Sequence, residues 1–458
     1  MNRVSTRKAI HASLGQALSC CTVLRRVLLT GVFVTSAAVA NTEIPPPPQD
    51  EPIVLTNATV HTVSGDTIEN GRVLFSEGRI EAIGGPRDTS VTADRVIDLE
   101  GLDVYPGLIS ANTMLGLVEI EAVRATVDVA EPGPINPNTR AEVAINPDSE
   151  NLPVARANGI LVALTAPTGG LIAGRSAAIQ LDGWTSEDMT IKAPIGMHLS
   201  LPRLRVPDGM PEALQSRFIE QRDEQLKLLR KSFEEARAYR KAKAAGEITD
   251  IDRRWEAMIP VFDRELPVFA NVDDLMEIRY ALKLADEFDF RLVIVGGADA
   301  WRIADLLAER QVPVIVAGVH RPPLRRWEPY STPSENPVRL HEAGVKVAIA
   351  NMGGTFVAPL ERNLPYEAAE AVAWGLDPKE AIRMITLYPA EILGIADRVG
   401  SIDVGKDATL IITDGNPLDI RTQVLRAFVQ GREIDLSSRH TMLYEKYRER
   451  LRQLAESP

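Results

Sequence analysis

Apolar and polar positions alternate in short runs at the start of the chain's globular part. Ile53-Val54-Leu55, Ala58 to Val63, Gly71 to Phe75, Arg79 to Gly84 and Val96 to Leu99 are broken by turn signals such as Ser76-Glu77-Gly78. Period-two alternation rich in β-branched residues predicts strands with one solvated face. The pattern returns at Gly400 to Ile412 and Val424 to Val429. Between the two lies a different texture: continuous apolar runs at Leu108-Ile109, Leu161 to Thr165, Val268 to Ala270, Leu292 to Val295, Val314 to Ala317 and Val347 to Ala350, separated by helical spacing at Asp273 to Phe288, Ala300 to Arg310 and Pro378 to Leu387. Strands apolar on both faces and alternating with helices predict a parallel sheet covered by helices, as in a (β/α)8 barrel. Asp377 is the expected cap of the last helix.

Two further helices carry charge rather than chemistry. Pro211 to Ala245 predicts a long helix with Leu214, Phe218, Leu226, Leu229 and Phe233 on its packed face, either a solvated cover or a subunit contact or lid. Ser437 to Glu456 predicts a second.

The first forty residues fall outside this pattern. Arg3, Arg7, Lys8, Arg25 and Arg26 precede the apolar run Val27 to Val39, and Ala38-Val39-Ala40 has the small-x-small form of a cleavage site, so residues 1–40 read as an export signal with Asn41 as the mature start. Arg25-Arg26 leaves general secretory and twin-arginine export both open. The run is too short for a permanent membrane anchor, and the expected location is the periplasm. Cys20 and Cys21 leave with the signal, which excludes disulfides and thiolate chemistry from the mature chain. Residues 41–52, with Ile44-Pro45-Pro46-Pro47-Pro48, read as a polyproline linker.

At 458 residues the chain is long enough for a large domain and a satellite, and 45% hydrophobic with 25% charged residues is an ordinary globular composition. The net charge of -12 argues against nucleic acid and against anionic membrane surfaces as partners.

The run Tyr105-Pro106-Gly107-Leu108-Ile109-Ser110-Ala111-Asn112-Thr113-Met114-Leu115-Gly116 resembles the opening motif of the metal-dependent amidohydrolase superfamily, where Pro-Gly-Leu-Ile-Asp is followed by His-x-His. Arg79-Ile80-Glu81-Ala82-Ile83-Gly84, Gly400-Ser401-Ile402-Asp403-Val404-Gly405-Lys406-Asp407-Ala408 and Thr386 to Gly394 are similar to further family segments, and Ala166 to Gly174 and Arg362 to Ala368 to loops of exported members related to imidazolonepropionase. The resemblance implies a (β/α)8 TIM-type barrel over 106–396, with a small β-sandwich built from both chain ends (53–105 and 397–435) and a terminal helix over 436–458. It also implies hydrolysis of non-peptide C–N bonds, on cyclic amides or dipeptide-like substrates.

The resemblance stops at the metal. Active relatives hold Zn or a similar ion with His-x-His, a lysine or glutamate, two single histidines and an aspartate, and the ion makes hydroxide from bound water. Asn112 and Met114 stand at the His-x-His, Asn271 and Asp273 end the fifth strand, Gly296 the sixth, and Asn351 or Met352 replaces the aspartate. Of the six histidines, only His198 and His320 fall near strand ends; His11, His61, His341 and His440 do not. No metal or other cofactor is therefore expected. Asn112, Met114, Asn271 and Asn351 are the candidate ligand pocket, and His198, His320 and Asp273, with Asp299, the candidates for a rearranged catalytic site. The expectation is a metal-free relative that binds a small molecule, alone or in an oligomer with itself or with an active amidohydrolase. A rearranged enzyme and a plain scaffold are the competing readings.

Overall fold

The computed structural model describes residues 44–456 apart from Thr89; the segment expected to be an export signal, both cysteines and His11 lie outside the described residues. The described chain runs through β1 (Ile53–His61), β2 (Thr67–Ser76), β3 (Arg79–Gly84), β4 (Arg95–Asp98) and β5 (Asp103–Pro106), then β6 (Leu108–Thr113), β7 (Ile160–Thr165), β8 (Ile172–Arg175), β9 (Ala177–Gln180), β10 (Thr190–Lys192), β11 (Met197–Ser200), β12 (Val268–Val272), β13 (Leu292–Gly296), β14 (Val314–Ala317) and β15 (Val347–Ala350), and finally β16 (Leu410–Thr413), β17 (Val424–Val429) and β18 (Arg432–Ile434).

The first five and last three strands share one eight-stranded sheet, ordered β18-β17-β16-β5-β1-β2-β3 with β4 on β1. The join is an antiparallel ladder in which Leu410 faces Pro106 and Thr413 faces Asp103. Behind it Leu55, Val73, Phe75, Val104, Leu410 and Phe428 form a core, with the Phe75 and Phe428 rings edge to face at 5.2 Å. The proline-rich segment docks here: the Gln49 side chain donates to the Phe75 carbonyl and accepts from the Gly78 N–H.

The central strands form two sheets of mixed α/β type, β10-β9-β7-β6 and β15-β14-β13-β12-β11-β8. β11 to β15 run parallel, as do β6 and β7. Only Ser176 separates β8 from β9, so one extended stretch leaves the second sheet and enters the first, antiparallel to β11 in the one and to β7 in the other. At the other edge β6 and β15 lie side by side with no ladder between them. The Ile109 N–H donates to the Ile385 carbonyl at 2.8 Å and the Ile349 N–H to the Met384 carbonyl at 2.9 Å, so the turn at 384–385 fills the seam.

Both faces of these strands are buried, which is why their sequences run apolar without alternation. Ile109, Val162, Leu164, Phe269, Val293, Val295, Ile315 and Ala348 turn to one cluster, while Leu108, Leu161, Val268, Ile294, Val314 and Val347 turn to the helix-covered one.

The long helix is Glu212–Ala244, but its packed face is shorter than the sequence suggests. Leu229 and Phe233 are buried, Phe218 and Leu226 half-buried, and Leu214 exposed. Phe233 meets Phe262, Phe288 and Phe290, and these contacts hold only the helix's second half on the body. Ala300 to Arg310 is not one helix either: a 3-10 turn at Ala300–Ile303 precedes Ala304–Glu309. The helix starting at Pro378 is capped by Asp377, whose side chain accepts from the Lys379 N–H.

Candidate functional site

The carboxyl ends of the parallel strands open into a cleft of about 870 Å³. Its floor is Asn112 at the end of β6, Asn271 on β12 with Asp273 just after it, Gly296 on β13, Ala317 on β14 and Met352 after β15; its walls are the loops at 203–209 and 321–327. This is where the fold class places ligands, because the loops there are free to vary while the strands stay fixed.

The three asparagines have committed their amide donors to the protein. Asn112 Nδ2 donates to the Asn351 carbonyl (3.3 Å), Asn271 Nδ2 to the Leu199 carbonyl (3.3 Å), and Asn351 Nδ2 to Glu361 Oε2 (3.0 Å). Asn112 and Asn271 line the cleft; Asn351 is buried beneath it. Met114 leaves the group and packs on the helix-facing core.

The histidines and Asp273 are not brought together. His198, only 2% exposed, stacks on Phe269 at 5.2 Å and leaves Nε2 without a partner. Burial pushes its pKa down to about 3, so the ring is neutral. It sits opposite Phe269 in the ladder and does not line the cleft. His320 is 82% exposed, with Nδ1 3.9 Å from Glu370 Oε2. Asp273 lines the cleft but is occupied, its Oδ1 accepting from the Ala298 N–H (3.1 Å) and Arg321 Nη2 (3.3 Å).

Asp299 lies deeper, in a charged knot. Arg325 donates to Asp299 Oδ2 (2.6 Å), Glu328 Oε1 (2.7 Å) and Asp274 Oδ2 (2.9 Å), and Arg302 donates to Asp299 Oδ1 (3.0 Å). Burial raises the Asp299 pKa, but the hydrogen bonds from Arg325, the Leu275 N–H and Arg302 outweigh it and hold the group below the ordinary carboxylate range. The knot fixes the 321–328 wall against the loops after β12 and β13.

Charge in the cleft is unbalanced. Arg205 pairs with Asp208, Arg321 with Asp273 and Arg325 with Asp274. Arg203 and Arg326 line the same cleft and have no acidic partner among the described residues.

The residue that sequence reasoning misses is Glu361. It is 1% exposed, and Oε2 accepts from Ser110 Oγ at 2.7 Å and from Asn351 Nδ2 at 3.0 Å, while Oε1 has no partner. Burial pushes its pKa up to about 7, against the lowering effect of those hydrogen bonds. A glutamate in the 3-10 turn Ala358–Asn363 carries no sequence signal for this position, since its contacts come from β6 and the end of β15.

Among the described residues no three His, Cys, Asp or Glu side chains are grouped to hold a metal ion. The cleft lining offers amide and carboxylate oxygens, those of Asn112, Asn271 and Asp273 among them, but no imidazole, and Met114 has withdrawn to the core, so the lining lacks the nitrogen ligands that suit Zn.

Residues 332–437 match the model of the Amidohydrolase family. The fold is similar to an amidohydrolase from Thermotoga maritima MSB8, 26% identical with a TM-score of 0.73, over 84% of this chain and 99% of that one. These likenesses support membership of the amidohydrolase superfamily. Among curated relatives, an N-substituted formamide deformylase of Arthrobacter pascens is 38% identical over 111 residues, 21% of this chain and 20% of that protein. Amidohydrolase tasK of Hapsidospora irregularis is 20% identical over 410 residues, 79% of this chain and 39% of that protein. The chain thus spans well under half the length of either curated relative.

Proposed function

We propose that this chain is an exported, metal-free member of the amidohydrolase superfamily that binds a small molecule in the arginine-walled cleft, within a closed (β/α)8-type barrel. The commitment of the Asn112, Asn271 and Asn351 amides to protein acceptors carries the reading. It leaves the side-chain oxygens of Asn112 and Asn271 as acceptors on the cleft floor, suited to an N–H of the ligand. At the walls, Arg203 and Arg326 offer guanidinium groups without an acidic partner among the described residues, and a planar guanidinium suits a carboxylate. A molecule with an amide or amine at one end and a carboxylate at the other meets both. The protein acts alone or beside an active amidohydrolase.

Metal analysis of protein purified without chelator and offered Zn and Mn tests this, followed by melting-temperature screens with N-acyl amino acids, dipeptides and cyclic amides. The expected result is substoichiometric metal and a rise in melting temperature with ligands of this class. Stoichiometric metal with chelator-sensitive hydrolysis would overturn it in favour of a second reading, hydrolysis of a non-peptide C–N bond. That reading is supported by likeness to a deformylase of N-substituted formamides.

A further inference from the structure

The helix Arg439–Glu456 buries none of its residues. Met442, Leu443, Tyr444, Tyr447, Leu451 and Leu454 are between 40% and 68% exposed. At about 100° per residue, Leu443, Leu454, Tyr447, Leu451 and Tyr444 fall in that order within one sector of roughly 100°. The charges are sorted around this stripe. Arg439, Lys446 and Arg450 border it on one side and Arg448 on the other, while Glu445, Glu449 and Glu456 gather on the opposite face. The glutamates draw in Arg448 and Arg452 as ion pairs. Arg439, Lys446 and Arg450 have no acidic partner among the described residues. The helix is tied to the body at its start, where Arg362 Nη1 and His440 Nδ1 are 2.6 Å apart.

An apolar stripe bordered by cations, with acids on the far side, is complementary to a bilayer surface carrying negative headgroups. A second copy of the same helix fits less well. Parallel or antiparallel, a symmetric pair would set the cationic borders against each other. Among the described residues no helix is long and apolar enough to cross a membrane. We propose that Arg439–Glu456 is a surface-lying membrane helix that docks the protein on anionic lipid. The charge of -12 for the whole chain conceals it, because the positive borders are local to one helix whose acids face away.

Co-sedimentation of the full chain with phosphatidylglycerol-containing and with pure phosphatidylcholine vesicles, at low and high salt, tests the proposal. Binding is expected to the anionic vesicles and to weaken with salt. Leu451→Glu should weaken it about tenfold or more, the loss of one buried leucine. Lys446→Glu with Arg450→Glu should do the same and remove most of the salt dependence. The variants share the first forty residues with the parent, so the difference isolates the helix. Because the replaced side chains are exposed, the melting temperature should stay constant, which separates lost docking from lost folding. Absence of binding to any vesicle, binding indifferent to Leu451→Glu, or a dimer in sedimentation velocity that Leu451→Glu dissolves would each overturn it.

Discussion

Glu361 and Ser110, 251 positions apart, share a 2.7 Å hydrogen bond across the seam between β6 and β15. Through the same Oε2 the carboxyl also holds Asn351, so one buried side chain spans two strands that have no ladder of their own.

That bridge sets a pH dependence. The Glu361 pKa is raised from 4.5 to about 7 in the folded state, so folding favours the protonated form. Stability is unaffected by this group below the unfolded value and declines as pH rises from there through 7. The cost above that window is on the order of 3 kcal/mol. Urea unfolding of the parent and of Glu361→Gln from pH 4 to 8 should show this decline in the parent alone, since the glutamine carbonyl still accepts from Ser110 and Asn351.

His198 acts in the opposite direction. Its pKa falls from 6.5 to about 3, so the folded state excludes a proton that the unfolded chain takes up. The contribution is complete above 6.5 and is lost as pH falls; by about pH 4.5 the loss is roughly 3 kcal/mol. His198→Leu should keep its stability over that interval relative to the parent. An equal acid slope in both proteins would contradict the buried, neutral assignment.

Gly353 sits at φ +69°, and a Cβ there would come within 2.6 Å of Asn112 Nδ2. Gly353→Ala should cost about 1–2 kcal/mol from the left-handed backbone alone, plus whatever displaces Asn112. In an Asn112→Ala background the second part should vanish. A double-mutant cycle by chemical denaturation reads this as a coupling between the two positions.

Arg325 is 11% exposed among Asp274, Asp299 and Glu328. Arg325→Ala should destabilise by about 3 kcal/mol, because buried Asp299 and Glu328 are then left to share Arg302. Arg325→Lys should recover only part of this, since one ammonium cannot reach three carboxylates in the geometry of a guanidinium. Guanidinium chloride unfolding of the two variants checks the ranking.

The central strands were legible because burial on both faces writes an unbroken apolar run. Val314 to Ala317 and Val347 to Ala350 are found at the expected residues, and β7 begins one residue earlier than expected. Position along a strand was less legible than the strand itself. Met114 follows Asn112 by two, as a second lumen residue would, yet it lies past the end of β6 and packs outward. The Glu212–Ala244 helix misled in a similar way: its spacing marks a face from Leu214, but the neighbouring rings reach only to Leu229. Glu361 was not legible at all, because nothing local distinguishes a glutamate that will be buried by strands far away in sequence.

During synthesis β1 to β5 emerge long before β16. Until β16 arrives, β5 is an open edge carrying Val104 and Tyr105, able to pair with any strand that presents itself. Completion of the sheet therefore waits on nearly the whole chain, and the central strands must form while their satellite is half built. A chain arrested before Leu410 would carry that edge permanently, as a template for aggregation rather than a foundation for the fold.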